Sequence, residues 1–191
     1  MKILGISGSL RRGSYNTSLL RAAAELVGDD VELELWEGLK DVPPYDQDDD
    51  TDEAPAAVAE LRSAVAGADA VLIATPEYNA SVPGQLKNAL DWVSRPLATN
   101  PLRNKPAAVV GASTGAFGAV WGQAELRKVL ATIGARVIQT EVACRYANTC
   151  FDEGGRLTDD GVRAQLADVV DELVAAAGAR AEAQPAVPFA A

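Results

Sequence analysis

Two segments of this chain, Ala70-Val71-Leu72-Ile73-Ala74-Thr75 and Ala107-Ala108-Val109-Val110-Gly111-Ala112, are apolar or small at almost every position. Each is followed by a stretch whose apolar residues recur at helical spacing. A strand apolar on both faces must be covered on both faces, and strands alternating with helices place a parallel sheet between helical layers. The rest of the chain keeps the alternation. A first strand reads Lys2 to Ser7, and the helix after Asn16 carries Leu19, Leu20, Ala23 and Val27. Val31 to Trp36 alternates apolar and acidic residues with a period of two, the mark of a half-exposed strand. A second helix opens around Ala54-Pro55 and turns Val58, Leu61 and Val65 inward. The third starts near Pro83 with Leu86, Ala89, Leu90 and Val93 on one face, and Pro96 stops it. The fourth repeats that spacing with Leu126, Val129, Leu130 and Ile133. A weaker fifth strand, Arg136 to Thr140, leads through a loop to a last helix. Thr158 is its expected cap, with Asp159 and Asp160 in its first turn and Val162, Leu166, Val169, Val170, Leu173 and Val174 inward.

Strand character also orders the sheet. Strands one, three and four are continuous and belong inside, while two alternates and five is mixed, so both belong at edges. The order that satisfies this is 2-1-3-4-5, the flavodoxin-like α/β three-layer sandwich, five-stranded and parallel. A 3-2-1-4-5-6 order would bury strand two and call for a sixth strand. At 191 residues the chain makes one domain. Residues 1–178 are expected to form it, and 179–191, rich in Ala and Pro, to be a mobile tail.

Composition narrows function. The formal charge of −10 opposes binding to nucleic acid, which rests on Lys and Arg neutralising phosphates. No apolar run approaches the ~20 residues of a membrane span, and Met1 to Ser7 is too short for a signal peptide, so a cytoplasmic location is expected. The acidic run from Asp41 to Glu53 lacks the spacing of an EF-hand and reads as a solvated loop. The chain has no histidine, which excludes Ser-His-Asp and Cys-His catalysis and removes the usual neutral-pH acid–base residue. Any enzyme built on this sequence takes its chemistry from a cofactor, with no catalytic side chain and no metal expected. Cys144 and Cys150 read as two small reduced thiols, with a disulfide the alternative.

In a 2-1-3-4-5 sheet, ligands bind beyond the carboxyl ends of the strands, at the switch point between strands one and three. The loop after strand one, Gly8-Ser9-Leu10-Arg11-Arg12-Gly13-Ser14-Tyr15-Asn16-Thr17-Ser18, enters a helix N-terminus, where free amides and the dipole suit an anion. Ser9, Ser14, Asn16, Thr17 and Ser18 add neutral donors, and Arg11 or Arg12 adds a charge-assisted one. A helix cap needs one such residue, so the mixture points to a terminal phosphate. The loop is neither G-x-x-x-x-G-K-[ST] nor G-x-G-x-x-G, and Glu37 after strand two lacks the glycine pattern of a dinucleotide fold beside it. After strand three, Pro76 and Pro83 stiffen a short segment in which the backbone from Pro76 to Asn79 and the ring of Tyr78 suit a flat heteroaromatic ring. Alone, that segment reads equally as a structural turn with an exposed tyrosine. The loop after strand four, Ala112-Ser113-Thr114-Gly115-Ala116-Phe117-Gly118, lets backbone approach a ligand, or simply turns.

Three stretches resemble the NADPH-dependent FMN reductase family, which includes bacterial quinone and chromate reductases. They are the Gly-Ser-Leu-Arg loop from Gly8 to Asn16, the Pro-Glu-Tyr-Asn segment from Pro76 to Trp92, and the loop after strand four. The likeness runs from Met1 to about Gly178. It implies that Ser9, Arg11, Ser14, Asn16 and Thr17 hold the phosphate of FMN. It also implies that Pro76, Glu77, Tyr78 and Asn79 line the isoalloxazine, with Ser113, Thr114 and Gly115 packed along its other side. Where relatives often carry a Gly-Gly pair, this chain has Gly118-Ala119. Members are usually dimers or tetramers, which makes a homodimer or homotetramer the expectation, with Trp92 at the interface or in the core.

The function implied is an FMN-dependent NAD(P)H oxidoreductase, with NADPH or NADH as co-substrate. Its small-molecule electron acceptor is a quinone, an azo or nitro compound, a metal oxyanion or free flavin. A flavodoxin-type electron carrier and a phosphate-binding regulatory protein without flavin are the alternatives.

Overall fold

The structure is a computed structural model that describes residues 1–51 and 53–183. Its strands are β1 (Lys2–Ser7), β2 (Glu32–Trp36), β3 (Ala70–Ala74), β4 (Pro106–Ala112), β5 (Arg136–Val137) and β6 (Val142–Cys144). The helices are α1 (Tyr15–Ala24), α2 (Ala56–Gly67), α3 (Gly84–Val93), α4 (Val120–Thr132), the single turn α5 (Ala147–Cys150) and α6 (Asp160–Ala183). The sheet order is β2-β1-β3-β4-β5, parallel throughout, as the strand patterns require. Every residue of β3 and β4 is buried, while β2 at the edge keeps an alternating pattern. Register puts Gly5 beside Leu72, and Ala74 beside Val110, so β1, β3 and β4 end close together at the carboxyl edge.

Two apolar cores flank the sheet. Leu19 and Leu20 of α1 and Leu166, Val169 and Leu173 of α6 pack against one face. Val58 and Leu61 of α2, Leu86 and Leu90 of α3, and Leu126 and Leu130 of α4 pack against the other. Trp92 belongs to this second core rather than to an exposed interface: it is wholly buried, meets Tyr45 edge-on at 4.9 Å and donates Nε1–H to the Pro43 carbonyl at 2.9 Å. A buried indole needs such a partner for its N–H, and the Pro43 turn supplies it.

Four boundaries differ from the sequence reading. The expected fifth strand is two residues long, and β6, unforeseen, completes the edge by pairing Val142 to Cys144 with Val110 to Ala112. The cap of α6 is Asp159, whose Oδ1 accepts from the Val162 amide at 2.8 Å, while the Thr158 hydroxyl donates to the Cys150 carbonyl. Of the expected tail, residues 179–183 continue α6 and the remainder lies outside the described residues. In the acidic run, Asp50 is not merely solvated, because it pairs with Arg62 of α2 at 2.8 Å; Asp52 lies outside the described residues. Among the described residues no helix is long and apolar enough to cross a membrane.

Candidate cofactor site

The loop between β1 and α1 is a cradle of unspent donors. Ser14 caps α1, its Oγ accepting from the Asn16 amide at 3.2 Å. Among the described residues, the backbone amides of Arg12, Gly13, Ser14 and Tyr15 have no hydrogen-bond partner. Gly13 adopts φ +64°, the left-handed turn that bends the loop back toward the helix. Consecutive free amides at a helix N-terminus form a concave anion site. Arg11 leans over the Tyr15 ring, 5.6 Å from its centroid, and Tyr15 in turn stacks on Phe151 at 5.5 Å. That stack holds a guanidinium at the mouth of the cradle, on a chain whose net charge is otherwise strongly negative.

A hollow of about 450 Å³ opens from this cradle and runs along the ends of β3 and β4. Ser9, Arg11, Ser14 and Asn16 line it from the first loop, Pro76, Glu77 and Tyr78 from the second, and Ser113 and Thr114 from the third. Nine of the twelve expected site residues therefore face one space. Thr17, Asn79 and Gly115 do not line it. The Thr17 hydroxyl instead donates to Ser7 Oγ at 2.9 Å and faces a neighbouring hollow.

Several expected ligand groups turn out to hold the site together. The Asn16 side chain spends one of its two amide hydrogens within the protein: its Nδ2 donates to the Ala112 carbonyl at 3.0 Å and its Oδ1 accepts the Ala112 amide at 2.9 Å. It clasps the first loop to the end of β4. Glu77 Oε2 accepts from the Gly122 amide at 2.9 Å, so its carboxylate caps α4. Tyr78 and Ser81 exchange both backbone hydrogen bonds around Asn79 (φ 52°) and Ala80 (φ 58°). Two left-handed residues in succession make a two-residue hairpin turn of the I′ type. Tyr78 thus spends its peptide groups on the turn and keeps its ring for the hollow, 57% exposed. The Pro76 carbonyl accepts from Thr75 Oγ1 at 2.7 Å, which leaves the amides of Glu77 and Asn79 as the unbonded donors of the segment.

The third loop is buttressed from behind. The Ser113 amide donates to the Cys144 carbonyl, and the Ser113 and Gly115 carbonyls accept from the amides of Ala147 and Tyr146. Sequence reasoning missed this brace, because β6 and α5 are too short to carry a periodic signal. Gly118 (φ +60°) admits no side chain, since a Cβ there would lie 2.6 Å from the Ala143 backbone. Ala119, where relatives often have a second glycine, is left-handed as well (φ 61°). Cys144 and Cys150 are buried free thiols behind the loop. Burial and the neighbouring Cys150 raise the Cys144 thiol well above the ordinary range, which keeps it protonated.

The donor set fits a phosphorylated flat ring: a nest of free amides with an arginine at one end, and a rigid segment with an aromatic side chain at the other. Comparison with known proteins points the same way. Residues 1–149 match the family described as NADPH-dependent FMN reductase. An NAD(P)H-dependent FMN reductase of Pseudomonas aeruginosa is 44% identical over 164 residues, covering 85% of this chain and 88% of that protein. A 2-hydroxy-1,4-benzoquinone reductase of a Burkholderia species is 37% identical over 176 residues, covering 92% and 95%. Among solved structures, the flavoenzyme NAD(P)H:(acceptor) oxidoreductase FerB of Paracoccus denitrificans superposes with a TM-score of 0.81 at 34% identity, covering 93% of this chain and 97% of that one.

Proposed function

The chain belongs to the NADPH-dependent FMN reductase family, and from that premise we propose that it is an FMN-dependent NAD(P)H oxidoreductase whose acceptor is a quinone. The observation that carries the reading is the cradle of free amides from Arg12 to Tyr15 opening into the hollow between the second and third loops. In this reading the cradle and Arg11 hold the FMN phosphate, with the Ser9 and Ser14 hydroxyls beside them. The isoalloxazine lies over Pro76, Glu77 and Tyr78, with Ser113 and Thr114 on its other side. FMN, when bound, supplies the two-electron chemistry between nicotinamide and acceptor.

The protein's part is to position and to expose. The clasps from Asn16 to Ala112 and from Glu77 to Gly122 fix the three loops relative to one another without a ligand. Preformed loops spare the cofactor the ordering cost of assembling them. The hollow is open, which leaves room for two substrates in turn against one face. That openness favours a reductase over an electron carrier, which shields its flavin between aromatic side chains. A quinone is flat, like the nicotinamide it follows, and quinone reduction is the named activity of the Burkholderia relative.

The test is turnover by the FMN-loaded protein with NADPH or NADH and a panel of quinones, an azo dye, a metal oxyanion and free FMN. The reading expects the highest kcat/KM with a quinone. Faster turnover of any other acceptor class would displace the quinone.

A further inference from the structure

Beside the cofactor hollow, on the other flank of the first loop, lies a second cavity of about 350 Å³ between β1, the end of β2 and the turn that follows it. Arg12 and Lys40 line it, with Glu37, Trp36, Thr17 and Ser7. It shares Ser9 and Arg11 with the cofactor hollow, so the two spaces meet across the first loop. None of the functions assigned above uses it.

On a chain of net charge −10, three cations converge on this space against one carboxylate. Among the described residues, Arg11, Arg12, Lys40 and Glu37 take part in none of the ion pairs. Exposed cations left unpaired and gathered around a concavity raise the local concentration of anions. Trp36 adds a half-buried aromatic wall, folded over Gly38 so closely that a Cβ there would lie 2.6 Å from the indole. Glu37, the carboxylate lining this space, can accept from a ribose hydroxyl, while Arg12 and Lys40 can hold a phosphate.

We propose that this cavity is a subsite for the adenosine end of the nicotinamide co-substrate, with Arg12 and Lys40 gripping the 2′-phosphate that distinguishes NADPH from NADH. Trp36 offers a stacking face to the adenine, and Glu37 accepts from the remaining ribose hydroxyl. Arg11, shared between the two spaces, stands where the dinucleotide crosses toward the cofactor hollow. The inference rests on the reductase reading for its ligand, but it concerns a separate set of side chains and predicts a cofactor preference that the reading alone does not.

The experiment titrates the FMN-loaded protein with adenosine 2′,5′-bisphosphate and with 5′-AMP by calorimetry, in the native chain and in the Arg12→Ala/Lys40→Ala double variant. The native chain is expected to bind the bisphosphate more tightly than AMP. Loss of two charge-assisted contacts is expected to weaken the bisphosphate by roughly tenfold or more and AMP far less. In turnover, the ratio of kcat/KM for NADPH to that for NADH should fall by a similar factor. Equal binding of the two nucleotides by the native chain, or an unchanged bisphosphate affinity in the double variant, would overturn the subsite. Failure of the reductase reading would look different: nucleotide would bind while NADPH left the flavin oxidised.

Discussion

The Glu77 carboxylate, in the loop after β3, caps α4 by accepting the Gly122 amide at 2.9 Å from 45 residues earlier in the chain. Ala119, at the start of α4, is left-handed and supplies no side-chain cap, so the helix depends on this distant one. The contact fixes the second loop of the site to the helix that follows the third. Glu77→Ala is expected to lower stability by about 1 kcal/mol, with Glu77→Gln retaining part of the cap. Urea denaturation measures both, and FMN titration should show weaker binding in the alanine variant as the loop loosens.

Asn16 is the corresponding tie between the first loop and β4. Its removal leaves the Ala112 amide and carbonyl, both buried, without partners. Asn16→Ala is therefore expected to cost roughly 2–4 kcal/mol, more than an ordinary surface cap. A loss below about 1 kcal/mol in chemical denaturation would show that water or a shifted loop replaces the amide.

The hairpin turn at Asn79-Ala80 places an alanine at φ 58° in an exposed position. A Cβ in that conformation is strained by roughly 1 kcal/mol, and glycine is the residue the turn prefers there. Ala80→Gly should raise the thermal midpoint, and an unchanged or lower midpoint would argue against a I′ turn.

How much of this was legible in the sequence depended on how far apart the interacting residues lie. β3 and β4 announced themselves because burial on both faces leaves no polar position, and β2 did so because one of its faces is wet. The first loop was readable because its donors are contiguous. Glu77 and Asn16 were visible as motif residues, yet their partners lie 45 and 96 positions away, and nothing local marks a backbone amide as the one they bind. β6 escapes because three residues cannot display a period, so its segment looks like loop in the sequence alone. Trp92 was ambiguous because an amphipathic helix face shows burial but not what covers it; the Pro43 turn does.

At the opposite end of the sheet, Lys105 is buried and donates from Nζ to the Ala68 carbonyl. Burial, and then the nearby Arg180, lower its pKa from 10.5 to about 8. The unfolded chain then binds a proton that the folded chain has lost between those two values. Stability contributed through this group should therefore rise as pH increases from about 8 to 10.5. The difference between the native chain and Lys105→Met, followed by denaturation across that range, isolates it. A difference that stays flat would mean that Lys105 titrates normally.

The most direct test of the central claim is to mix the FMN-loaded protein with NADPH without oxygen in a stopped-flow instrument, before any acceptor is added. The account expects the flavin absorbance to bleach in a single mixing, and Arg11→Ala to require far more FMN before the same bleaching is seen. Flavin that stays oxidised in the presence of excess NADPH and excess NADH would contradict it.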